Sequence, residues 1–214
     1  MKSNKIKNKV FDKLSKNCNW EFDWTSNKID PYYIKLPMCR IKGNWTPSYA
    51  LKEKPSTSRP SAKIQQTVYG IKWQERFTEG YITDDHQKAI DCLGLENPNG
   101  YVHLQKPGQS HILHIDTVYG GGHWDYLGDQ KRDKVRRVFL MLQDWKPGQI
   151  IQFGNVMYSK WKAGDVAYFR WQDMPHGTAN FGHHDRSLIL VTGVTTPKFE
   201  KLLKMKNPKT LYVR

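Results

Sequence analysis

Residues 135–193 read VRRVFLMLQDWKPGQIIQFGNVMYSKWKAGDVAYFRWQDMPHGTANFGHHDRSLILVTG. Short apolar or alternating runs rich in Val, Ile, Phe and Tyr occupy 135–143, 150–153, 155–158, 165–170, 177–180 and 187–193, with Pro147-Gly148, Gly164 and Gly182 as breakers between them. Toward the N-terminus the same character continues at 101–105 and 112–116, separated by Pro107-Gly108 and followed by Gly120-Gly121-Gly122. This makes about eight strands in roughly one hundred residues. The gaps are too short for the helical crossovers that a parallel sheet needs. The pattern therefore predicts a mostly β, antiparallel, double-sheet jelly roll or sandwich.

The flanks read differently. The first sixty residues are irregular, with recurring Asn, Pro and aromatics (Trp20, Trp24, Tyr32, Tyr33, Trp45), and 54–61, KPSTSRPS, reads as a loop. Asp84 and Asp85 are expected to cap a helix near 84–93, stopped by Gly94 and Pro98, and 198–205 is expected to form a short basic helix. The expected organisation is an N-terminal extension packed on the core (1–99), a β core (100–196) and a basic C-terminal tail (197–214).

With 214 residues, 38% hydrophobic and 25% charged, the chain suits one principal core rather than disorder. No apolar run approaches the ~20 residues of a membrane-spanning helix. MKSNKIKNKV at the start lacks the apolar stretch of a secretory signal. Cys18, Cys39 and Cys92 form no Cys-x-x-Cys pair, so neither a disulfide framework nor a zinc-thiolate site is indicated, and a cytoplasmic location is expected. The net charge of +14 is unevenly spread. Residues 1–60 carry 13 Lys/Arg against 5 Asp/Glu, 61–196 carry 15 against 14, and 197–214 carry 6 against 1. The charge belongs to the ends, where it serves either solubility or polyanion contacts, and not to the β core.

His114-Ile115-Asp116 places an imidazole and a carboxylate at i and i+2 on a predicted strand, hence on one face. With 8 His and 14 Asp in the chain, roughly half a His-x-Asp arises by chance, and His183-His184-Asp185 is a second copy. Position separates the two. His114 and Asp116 precede several strands that can return a third ligand, whereas His183 and Asp185 sit in a Gly-bounded turn with one strand to follow. His176, after Met174-Pro175, is the third ligand chosen. Two imidazoles and one carboxylate on one face of an octahedron leave three positions open. Arg186 follows His176 by ten residues and heads the apolar run SLILVTG. A guanidinium entering a largely apolar interior needs an anion, and its fork suits a carboxylate.

On His114, Asp116, His176 and Arg186 the sequence resembles the Fe(II)/2-oxoglutarate-dependent oxygenases, in particular the prolyl- and aspartyl-hydroxylase-like branch. The resemblance covers about residues 100–195 and includes VRRVFLMLQDW with Pro147-Gly148, Trp161 to Asp165, and Pro175-His176-Gly177. It implies a double-stranded β-helix, cupin-like, with His114, Asp116 and His176 as metal ligands, Fe(II) as the metal, 2-oxoglutarate as co-substrate and O2 as oxidant. It also implies that Arg186 holds the distal carboxylate of 2-oxoglutarate. Met141 stands where prolyl hydroxylases often carry a tyrosine for that carboxylate, and Ser187 departs in strand parity from an Arg-x-Ser pattern. Arg137 is either a second partner of the tail or part of a cross-strand ion pair. Gln105 is a further candidate on a neighbouring strand.

The implied activity is hydroxylation of a C–H bond, with a peptidyl or free amino acid preferred as substrate. The alternatives are a nucleic-acid base hydroxylase, favoured only by the basic ends, and a non-oxidative metal-binding cupin, which has no need for Arg186. Tyr119, His123, Trp124 and Tyr126, and likewise Trp171, Gln172 and Asp173, read equally as pocket rim or as incidental loop residues. His103 and His111 read as structural, Trp145 and Trp161 as core.

Overall fold

A computed structural model describes residues 34–43, 78–114, 116, 133–172 and 174–213. The loop carrying Tyr119, His123, Trp124 and Tyr126, together with Asp173 and the aromatics before residue 34, lies outside the described residues. Eleven strands and two helices are formed among the described residues. In chain order they are β1 (Ile34–Lys42), β2 (Thr78–Gly80), α1 (Asp84–Cys92), β3 (Glu96–Gln105), β4 (Ser110–His114), β5 (Val135–Met141), β6 (Gln149–Phe153), β7 (Val156–Tyr158), β8 (Asp165–Phe169), β9 (His176–Asn180), β10 (Arg186–Val194), α2 (Pro197–Lys204) and β11 (Lys209–Tyr212).

The strands make a seven-stranded sheet in the order β11-β1-β8-β5-β10-β3-β2 and a four-stranded sheet in the order β4-β9-β6-β7. Every pairing is antiparallel except β1 with β11. Strands β3 to β10 pass back and forth between the two sheets, except for the β6–β7 hairpin within the small sheet, in the winding of a double-stranded β-helix, the jelly-roll architecture expected from the strand spacing. Among the described residues no helix is long and apolar enough to cross a membrane.

The large sheet is covered on both faces, which explains why β5, β8 and β10 read as nearly continuous apolar runs. Alternate residues divide between two cores. Val138, Leu140, Ile189 and Val191 face Ile90, Leu93, Phe199 and Leu202 of the helices. Phe139, Met141, Leu188 and Phe169 pack instead with Ile151 and Phe153 of the small sheet. Position parity then directs Arg137 and Arg186 into this second, inter-sheet interior, because they share a strand face with Phe139 and Leu188 respectively. The sheets meet there with 8% or less of either arginine exposed.

Several details differ from the sequence reading. Thr83, not Asp84 or Asp85, is the N-cap of α1: its hydroxyl accepts from the His86 N–H, and His86 Nδ1 accepts from the Thr83 N–H. The two aspartates occupy the first turn, where they complement the helix dipole. Strand β3 starts at Glu96 and runs through Pro98, because Asn97 (φ 46°) and Pro98 lie in an irregularity where the register to β10 shifts. The segment 34–42 is not irregular but pairs with β8 on one side and β11 on the other. Lys35 fastens it to α2 by donating to the carbonyls of Leu203 (2.6 Å) and Met205 at the helix C-terminus. Gly164, at φ 84°, precedes β8 where a Cβ would collide with the Ile41 carbonyl, so this turn can carry only glycine. The short basic helix expected near 198–205 is α2, capped by Thr196.

Candidate metal centre

Strands β4 and β9 are neighbours in the small sheet, and His114 lies opposite His176 in their register. Their rings are 4.4 Å apart between centroids. Asp116 follows just beyond β4, with Oδ1 3.6 Å from His114 Nε2 and Oδ2 3.4 Å from His176 Nε2. One ligand atom from each of the three residues lies within 4.8 Å of the others, and this is the one such His/Cys/Asp/Glu group found among the described residues. His183 and His184 are exposed in the turn before β10 and do not join it.

The protonation pattern suits a cation. His176 Nδ1 lies 3.1 Å from the Met174 carbonyl. A carbonyl only accepts, so Nδ1 carries the proton and Nε2 presents a lone pair. That lone pair faces the Asp116 carboxylate, with Oδ2 at 3.4 Å, so both residues present acceptors that a shared cation would satisfy. Burial pushes the His176 pKa down to about 3, against the opposing pull of the Asp116 charge, so the ring is neutral at physiological pH. Burial alone would raise the Asp116 pKa, but the Arg137 charge, then His176 and His114, outweigh it and hold the carboxyl well below its ordinary range. Two imidazoles and one ionised carboxylate are thus presented together, a donor set that suits Fe(II) and other divalent first-row metals. Phe169 packs on the His176 ring at 4.5 Å, and Phe139 lies at 6.1 Å, which gives the cluster an apolar back wall.

A β-bulge adds a residue that alternation conceals. His111 pairs with Thr178 and His114 with His176, so three steps along β4 match two along β9. The bulge turns His111 and His114 to the same side, with ring centroids 4.0 Å apart. By alternation the two histidines point to opposite faces, so no signal in the sequence marks His111 as a neighbour of the cluster.

Arg186 is 1% exposed, and its Nε and NH1 make no hydrogen bond among the described residues. Burial lowers its pKa to about 9, so it remains charged at neutral pH without a counter-ion at those nitrogens. A buried guanidinium in this condition is expensive unless an anion completes it. Opposite Arg186 in the register stands Gln105, fully buried, which donates from Nε2 to Thr178 Oγ1 at 2.9 Å and so bridges the two sheets beside the arginine. Ser187 points to the other face, where its hydroxyl meets Gln143 Oε1 at 3.2 Å.

Arg137 has a different environment. Its NH1 pairs with Asp116 Oδ2, its Nε donates to Thr192 Oγ1 at 3.2 Å, and its guanidinium lies 5.8 Å from the Trp171 ring centroid. Of the two roles the sequence leaves open, the ion pair is present, and Trp171 proves to be a buried support rather than a rim residue. Trp171 Nε1 in turn donates to the Val135 carbonyl at 3.1 Å. Trp161 is buried as expected, and Trp145 is half-buried against the inter-sheet core.

Fold and site together define a double-stranded β-helix with a candidate metal centre and a buried arginine between its sheets. No protein-family model matches the chain, and no curated protein matches it significantly. Similar solved structures include a prolyl-4-hydroxylase from Pseudomonas putida, 21% identical over 49% of this chain and 54% of that one, with a TM-score of 0.36. A sugar phosphate isomerase of a cupin superfamily from Silicibacter pomeroyi is 11% identical over 69% of this chain and 73% of that one, with a TM-score of 0.40. A cupin 2 conserved barrel domain protein from Salinispora arenicola is 13% identical over 49% and 69%, with a TM-score of 0.30. This chain spans about half the length of the hydroxylase. Likenesses at this level assign no chemistry, which has to be argued from the site.

Proposed function

We propose that the protein is an Fe(II)- and 2-oxoglutarate-dependent dioxygenase that hydroxylates a C–H bond of a peptidyl or free amino acid. The observation that carries this reading is Arg186: a buried, charged guanidinium with two nitrogens unpartnered among the described residues, in the same interior as the His114, Asp116 and His176 cluster. A metal site by itself has no use for such a group, whereas a dicarboxylate co-substrate with one end at the metal needs a cation for the other. In this reading His114, Asp116 and His176 hold the iron, and Arg186 receives the distal carboxylate with Gln105 beside it. Bound Fe(II) supplies oxidative decarboxylation of 2-oxoglutarate coupled to oxidation of the substrate by O2.

The protein's share is positioning and exclusion. His176 keeps Nε2 free of a proton through its Nδ1 bond to Met174, and the Arg137 charge keeps Asp116 ionised. Phe139, Phe153, Phe169, Met141 and Leu188 line the interior with apolar surface that keeps water from the space between metal and arginine. The test is succinate release by the purified protein loaded with Fe(II), with 2-oxoglutarate and O2. Release that depends on both co-substrates, and that rises with an amino acid or peptide, supports the reading. Release accelerated by nucleobases instead, or none with any compound class, overturns it in part or in whole.

A further inference from the structure

Arg137 is held on three sides. Thr192, its direct opposite on β10, accepts from Nε at 3.2 Å, and the Trp171 ring lies 5.8 Å from the guanidinium carbon. Trp171 cannot easily turn away, because it is 1% exposed and bonded through Nε1 to the Val135 carbonyl at 3.1 Å. The third side is Asp116, whose Oδ2 pairs with Arg137 NH1. Unlike Arg186, whose Nε and NH1 meet no anion among the described residues, Arg137 has one supplied by the chain itself. The supports are in place before any ligand arrives.

We propose that Arg137 is a positioning residue for the metal centre: by holding Oδ2 of Asp116 it leaves a bound cation one oxygen of this carboxylate, and so preserves an open coordination position. A carboxylate free to rotate can bind a metal through both oxygens. With two imidazoles already present, bidentate attachment would leave two positions where single attachment leaves three. Oδ2 also lies 3.4 Å from His176 Nε2, but it is the oxygen that Arg137 NH1 holds, which leaves Oδ1, 3.6 Å from His114 Nε2, for the cation. This inference rests on the metal-binding half of the function proposed above and is independent of what the co-substrate is.

The test uses Mn(II) alone with the full-length protein. Arg137→Gln is expected to bind Mn(II) roughly 10- to 100-fold more weakly by calorimetry, the usual effect of removing an outer partner of a metal ligand. Water-proton relaxation per bound Mn(II) is expected to fall by roughly a third as one exchangeable water is lost from three. Relaxation reports the open positions directly, which a merely structural role would not move. Arg137→Lys should recover part of the affinity but not the full relaxation, because an ammonium keeps the charge without the fork that spans Thr192 and Asp116. If Arg137→Gln does not fold, Thr192→Val is read in its place. It keeps every charge and removes one anchor, with a severalfold loss of affinity expected. Unchanged affinity and relaxation in the folded variants, with tight Mn(II) binding by the wild type, overturn this inference alone. Failure of the wild type to bind Mn(II) overturns it together with the metal site.

Discussion

Replacing Arg186 by Met should make the ligand-free protein more stable and the co-substrate affinity far worse. Arg186 is 1% exposed, and burial lowers its pKa from 12.5 to about 9. At about 1.4 kcal/mol per pKa unit this corresponds to about 5 kcal/mol that the folded protein spends to keep the charge. Methionine fills a similar volume next to Leu188 and Met141 without that penalty, and replacing buried ionic groups by apolar ones typically stabilises by about 1–4 kcal/mol. For a chain of this size the melting temperature should rise by about 2–16 °C. Binding of 2-oxoglutarate should weaken by about 2–5 kcal/mol, because the distal carboxylate would be buried without its partner. The assay is a pair of thermal melts, with and without 2-oxoglutarate at saturating Mn(II), alongside calorimetry for the affinities. Metal affinity should change little, since Arg186 is not one of the three cluster residues. A variant several kcal/mol less stable than wild type would mean that Arg186 serves the fold and not a ligand, and unchanged 2-oxoglutarate affinity would refute the assignment of the tail to it.

His114→Ala, Asp116→Ala and His176→Ala should each abolish stoichiometric Mn(II) binding while leaving the circular dichroism spectrum β-rich, whereas His183→Ala should bind normally. Changing Lys198, Lys201 and Lys204 to Gln, all exposed on α2, should leave turnover unchanged and reduce only weak, salt-sensitive polyanion binding in a DNA titration. Burial lowers the pKa of His86, whose Nδ1 accepts from the Thr83 N–H. The unfolded chain therefore takes up this proton first, and stability present above about pH 6.5 is lost as pH falls, by up to about 1.4 kcal/mol per pH unit for this residue. His86→Gln keeps the capping geometry, so denaturant titrations between pH 7.5 and 5 should show a slope smaller by one proton.

The β core was legible because its signals are local. Gly and Pro breakers, β-branched runs and their lengths mark strands whatever they pair with, and eight of the eleven strands were placed in this way. The juxtaposition of His114, Asp116 and His176 and the burial of Arg186 were legible for a related reason, since residue chemistry at strand positions specifies what a face can offer. Strand β1 was not, because its stability comes from β8 and from a parallel pairing of 39–42 with 209–212, partners that no pattern within 34–42 announces. His111 escaped because the bulge that turns it toward His114 is a property of the β4–β9 register. Arg137 carries the clearest contrast. Its parity with Phe139 already sends it inward, but only the register of β5 on β10 and the place of Asp116 beyond β4 decide that its charge meets a carboxylate of the protein, while Nε and NH1 of Arg186 meet no partner among the described residues. Alternation along a strand sets a direction, and long-range pairing sets the partner.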